Sequence, residues 1–274
     1  MEYNLEEMVR EEINETHNDM EEQRMSVTNL TSDQFESVYS ALNLVKEHAL
    51  DCDISGGLVR QMVDKRDAVF EIFLTDCIGE LDLPLITIKQ KLELLKMFVG
   101  SEVTIESTDT NFSIVDSYSK FVFVKPTMNY INIPFMGEED FAERFNFARS
   151  TLLVDTPISE KITERMRIIA TNFNCLVFFI EFSGETCKIF AKAESGDQSI
   201  DIIRDIPLNE AIDESICNIS TTQLIVEHDG ELQLQLYHDS ETDIILNKTQ
   251  GIIKSIPYNI YSRTKFLEAD ADFS

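Results

Sequence analysis

The stretch KQKLELLKMF, residues 89–98, sets Lys89, Lys91 and Lys96 into one short helical segment. The chain around it has 23 Lys and Arg against 50 Asp and Glu, a formal net charge of −27. Lys89 and Lys96 are seven residues apart and so share a helix face, which makes a local basic site on an acidic chain. Lys91 projects elsewhere, beside the apolar stripe. A second set, Lys161, Arg165 and Arg167, stands in TPISEKITERMRIIATNF. Lys161 and Arg167 lie away from that segment's apolar stripe, and Arg165 flanks it. Glu93, Glu160 and Glu164 stand among these cations, so the plain alternative is a solvated face laced with i,i+4 pairs.

Other reactive residue types form no constellation. His17, His48, His228 and His238 are dispersed, and the ten-residue step between the last two is weak metal spacing. Asp51 and Asp53 alternate as on a polar strand end. The five cysteines, 52, 77, 175, 187 and 217, are odd in number, with no C-x-x-C. A disulfide framework or zinc ribbon is not expected, and a reducing, cytoplasmic setting is. The chain carries no phosphate-binding G-x-x-x-x-G-K-[ST], no G-x-S-x-G and no H-E-x-x-H. We therefore expect no catalytic residues, no metal and no cofactor, hence a binding protein rather than an enzyme.

The elements that must position the cations read as follows. Residues 1–24 hold nine acidic and two basic residues, with Leu5, Val9 and Ile13 at loose helical spacing. This is an acidic extension, without the basic and apolar regions of a secretory signal. MSVTNL reads as a strand, followed by a helix whose stripe is Phe35, Val38, Leu42, Val45 and Ala49. Thr31 and Gln34 suit a capping box before it, and Thr87 and Gln90 suit a second one before the lysine-bearing helix. CDISGGLVRQMV, DAVFEIFLTDCI, GELDLPLI, SEVTIES, NFSIVDS and KFVFVKP read as strands. Residues 126–150 break the rhythm with two prolines, an acidic cluster and many aromatics.

The same order then returns. STLLVD is a strand, and the next helix carries Ile158, Ile162, Met166, Ile169 and Phe173 as its stripe. CLVFFIEF, TCKIFAKA and QSIDIIRDI are strands, NISTTQLI a short helix, and GELQLQLYH, TDIILN, GIIKSI and YSRTKFLEA closing strands. The expected fold is thus α+β: two similar β-rich domains with two helices each, at 25–125 and 151–274, joined by a connector at 126–150. No apolar run of 18 residues occurs, so no membrane span is expected.

This plan, with its quoted segments, resembles the DNA sliding clamps. ISGGLVRQMVDKRDAVFEIFL and LPLITIKQKLELLKMFVGSEVTIES resemble the early hairpin and the strand–helix–strand of the proliferating-cell-nuclear-antigen type. FLEADADFS and ARSTLLVDTPISEKITERMR are similar to the tail and second-domain opening of the clamps of T-even-type bacteriophages. The resemblance implies a homotrimeric, head-to-tail ring with helices inside and sheets outside. It would encircle duplex DNA without sequence preference, tether DNA polymerase, and be opened by a clamp loader, in the host cytoplasm if viral. In T-even phages the clamp also serves late transcription. The phosphate-facing residues would be Lys89, Lys91, Lys96, Lys161, Arg165 and Arg167. The first helix departs from the family pattern: beside Asp33, Glu36, Ser40, Asn43 and Glu47 it offers only Lys46. Rings would close where Tyr118–Val124 meets Cys175–Glu181 or a neighbouring strand. Clients would seat apolar peptides between connector and C-terminus, on Met128, Tyr130, Ile131, Ile133, Phe135, Phe266 and Leu267. The rival reading is an acidic protein that imitates DNA or inhibits its binders, which would need no basic helix.

Overall fold

A computed structural model describes residues 26–46, 48–62, 68–125, 136–196 and 198–267. The first half runs β1 (Ser26–Leu30), α1 (Ser32–Lys46), β2 (Cys52–Ser55), β3 (Leu58–Met62), β4 (Ala68–Phe73), α2 (Thr75–Ile78), β5 (Leu83–Leu85) and α3 (Ile88–Leu95). A 3-10 turn (Lys96–Phe98) and strands β6 (Val103–Ser107), β7 (Asn111–Val115) and β8 (Lys120–Val124) complete it. Then come α4 (Glu138–Arg144), a 3-10 turn (Phe147–Arg149), β9 (Thr151–Ile158) and α5 (Glu160–Phe173). The last part is β10 (Val177–Lys192), β11 (Ser199–Ser220), α6 (Thr221–Ile225), β12 (Leu232–Asp239), β13 (Ile244–Ile253) and β14 (Ile256–Lys265).

α1 starts at the expected capping box. The Thr31 N–H donates to Gln34 Oε1 at 3.0 Å, and the Gln34 N–H donates to Thr31 Oγ1 at 3.3 Å. The whole expected stripe of α1 is buried, together with Ala41 and Leu44, because α3 lies on one side of the helix and β13 and β14 on another. Of these, Phe35, Val38, Leu42, Leu44 and Val45 each contribute about 1.5–3 kcal/mol by leaving water.

The second capping box is absent. Thr87 takes φ 53°, its hydroxyl bonds the Ile86 carbonyl at 2.7 Å, and its N–H is held by Asp51 Oδ1 at 2.8 Å. A carboxylate from 36 residues away displaces the local cap. That contact also gives Asp51 its role, as an acceptor closing the start of α3.

Several strand boundaries differ from expectation. CLVFFIEF and TCKIFAKA form one strand, β10, which passes Gly184 (φ 63°) through register shifts against β11. TDIILN and GIIKSI likewise fuse into β13, which turns into β14 through Lys254 and Ser255, both at positive φ. In DAVFEIFLTDCI the strand ends at Phe73, and the remainder turns into α2. The connector is not irregular where it is described: it forms α4 and the 3-10 turn after it.

The described strands form a four-stranded sheet (β1-β6-β7-β8), the β10–β11 ribbon, and an eight-stranded sheet (β5-β2-β3-β4-β14-β13-β12-β9). The large sheet runs across both halves of the chain, since β4 pairs antiparallel with β14 from Ala68↔Ser262 to Ile72↔Tyr258. Alternation gives this sheet two apolar faces. Phe70, Ile72, Ile245 and Ile260 join the main core with α1 and α3, whereas Val69, Leu246 and Tyr261 face Met136 and Phe145 of the connector.

Candidate nucleic-acid interface

Ile88, Leu92, Leu95 and Phe98 anchor α3 and the turn after it in the core. Their i, i+4, i+7 spacing leaves Lys89, Glu93 and Lys96 together on the exposed side, as the sequence implies. Lys96 lies just past the α-helix, in the 3-10 turn. Lys91 is turned two residues round the helix, with its Nζ 4.7 Å from the centre of the Phe123 ring on β8. That cation–π contact is a packing role for Lys91.

On α5 the inward residues are Thr163, Met166 and Ala170, while Ile162, Ile169 and Phe173 are half-buried. The buried face is therefore rotated by one residue from the expected stripe. The cause is polar: Thr163 Oγ1 lies 3.1 Å from His228 Nε2 in the interior, and Ile158 belongs to β9 rather than the helix. Burial pushes the His228 imidazole below its ordinary value. Lys161, Arg165 and Arg167 are exposed. Arg167 pairs with Glu164 and donates to the Ile225 carbonyl at 3.2 Å, which ties α5 to the end of α6.

α1 packs on α3 and α5 on α6, so the two cationic sets sit on different helix pairs. α1 contributes little charge. Its Glu36 is matched by Lys254 Nζ at 3.3 Å, a cation from the β13–β14 turn that nothing in the local sequence marks. The described cysteines are all free, and burial pushes every one of their thiols up, Cys187 to about 12. They are poor nucleophiles at neutral pH.

Of the expected partner-binding residues, Met128, Tyr130, Ile131, Ile133 and Phe135 lie outside the described residues. Phe266 packs within the fold, its ring 5.8 Å from Phe182 and 5.4 Å from His238. The Leu267 N–H donates to the Ile216 carbonyl at 2.7 Å.

Sequence reading missed a buried polar centre where the halves join. Glu71 on β4 receives Arg60 Nη2 at 2.7 Å, the Tyr261 hydroxyl at 2.8 Å and Asn259 Nδ2 at 3.0 Å. Arg60 reaches Glu138 of α4 at 2.8 Å, and its guanidinium sits 4.6 Å over the Phe141 ring. β3, β4, β14 and the connector are thus fastened at one point. The signal was a lone charge in each of two apolar strands, LVRQM and AVFEIF.

No family model matches the sequence, and neither does any curated protein. Solved structures do resemble the fold. PCNA of A. fulgidus bound to the C-terminal region of FEN-1 aligns at TM-score 0.55 and 10% identity, over 89% of this chain and 99% of that chain. PCNA from Entamoeba histolytica aligns at 0.58 and 11%, over 88% and 98%. A PCNA2–PCNA3 complex from Sulfolobus tokodaii aligns at 0.53 and 12%, over 87% and 99%. The continuous eight-stranded sheet, the two helix pairs and this alignment agree: the chain has the fold of the PCNA-type sliding clamps.

Proposed function

We propose that the protein is a DNA sliding clamp: three copies close head-to-tail around duplex DNA and tether a polymerase and other replication proteins. The carrying observation is the match to PCNA chains over nearly their whole length. In this reading residues 25–125 and 151–274 are the two domains and 126–150 the connector. The phage-type likeness, and with it a late-transcription client, rests on the sequence segments alone.

β8 supports the ring. It is the last strand of its sheet, and Val122 (59%) and Val124 (77%) are exposed on it, with Tyr118 (91%) beside them. An open apolar edge of this kind invites another strand. β10, which among the described strands pairs only with β11, has Leu176 exposed just before it and suits that role in the next copy.

Inside the ring, Lys89 and Lys96 with Lys161, Arg165 and Arg167 meet phosphate. Contacts of this kind carry no sequence preference, as sliding requires. Lys91 takes a lesser part because of its place on Phe123. The test is polymerase extension on a primed circular template. Replacing Lys89, Lys96, Lys161 and Arg167 by Ala should shorten products on every template, with the salt slope of binding falling by about 0.9 per lost contact. Full processivity in a ring-forming quadruple variant would contradict the assignment.

A further inference from the structure

The exposed side of α3 is not purely cationic. Beside the Lys89–Glu93–Lys96 row runs a second i, i+4, i+7 row, Gln90, Leu94 and Met97. Leu94 is 39% and Met97 63% exposed, and Val99 follows at 36%. Phosphate gains nothing from that apolar strip. A surface that is half ammonium and half apolar instead matches a segment that is half carboxylate and half apolar.

The chain itself carries such a segment. Residues 1–24 hold nine Asp and Glu and two Arg, with Leu5, Met8, Val9 and Ile13 at helical spacing. We infer that this acidic leader docks on the exposed side of α3 in its own chain. Its apolar row meets Leu94 and Met97, and its carboxylates meet Lys89 and Lys96. Coulomb attraction favours the placement, since this short stretch is net positive on a chain of charge −27.

The connection is long enough. The leader enters β1 at Ser26, and β1 pairs with β6, the strand that follows the 3-10 turn bearing Lys96 and Met97. Ser26 lies opposite Ser107 and Leu30 opposite Val103, so the leader's exit is about 13 Å along the strand from the level of Val103. Residues 21–25, extended, span about 17 Å. Docked there, the leader competes with any phosphate for the same ammonium groups.

Carbodiimide coupling of the full chain at low salt tests this, because it joins a carboxylate only to an amine it touches. Peptide mapping should find leader carboxylates joined mainly to Lys89 and Lys96. In the Leu94→Asp, Met97→Asp variant, which keeps both lysines, those products should fall at least about fivefold. Coupling spread over exposed lysines such as Lys120, Lys161 and Lys254 would overturn the inference, as would undiminished coupling in the variant. Mixed-isotope products from a blend of labelled and unlabelled protein would overturn docking within one chain. The test reads the contact alone, so it does not depend on the clamp reading.

Discussion

Glu71 and Arg60 are both nearly excluded from solvent, with side-chain exposures of 6% and 8%. Two opposite charges there are tolerable because Tyr261, Asn259 and Glu138 complete the hydrogen bonding. Removing Glu71 takes from Arg60 its buried partner, leaves it with the exposed Glu138, and strips the acceptor from the Tyr261 hydroxyl and the Asn259 amide, so Glu71→Ala should cost about 3–5 kcal/mol in urea unfolding. A loss below about 1 kcal/mol would mean the site hydrates freely. His228 gives a pH signature. Its folded pKa lies below 6.5, so the unfolded chain takes up the proton first as pH falls. Stability should be full above about 6.5 and drop below it, and a fold-competent His228→Gln variant should flatten that drop. At this scale the sequence showed the exposed cations but not their partners. Lys91 with Phe123, Arg167 with Ile225, and Glu71 with Tyr261 at a separation of 190 residues are all products of tertiary packing.

Elements with local signals were legible and the others were not. The Thr31–Gln34 box sets the start of α1 from four adjacent residues, and Thr31→Ala should lower stability by about 1 kcal/mol. The matching pattern at Thr87–Gln90 misleads because Asp51 takes the Thr87 N–H. Strand lengths were underread in β10 and β13, where Gly184 and Gly251 look like breaks but lie inside paired strands. The open edge of β8 makes its own prediction. Placing lysines at Val122 and Val124 should leave the protomer folded, since both side chains are exposed, yet abolish self-association as read by sedimentation. Unchanged association would move the interface to another edge.

For the whole molecule, the two-fold element order was visible in the sequence, whereas the sheet that unites the halves was not. No short-range pattern could announce that β4 pairs with β14. That pairing joins the two halves of the chain in one sheet. The overall charge of −27 keeps nucleic acid off most of its surface and gives weight to the few cations on α3 and α5. An acidic imitator of DNA, by contrast, gains nothing from exposed lysines in rows or from an open apolar strand edge. The mass of the native particle at tens of micromolar separates the two directly. A three-membered ring predicts three times the 31.4 kDa of one chain, falling to a single chain in the Val122→Lys, Val124→Lys variant. A wild-type particle of 31.4 kDa at that concentration would contradict the ring and the clamp with it.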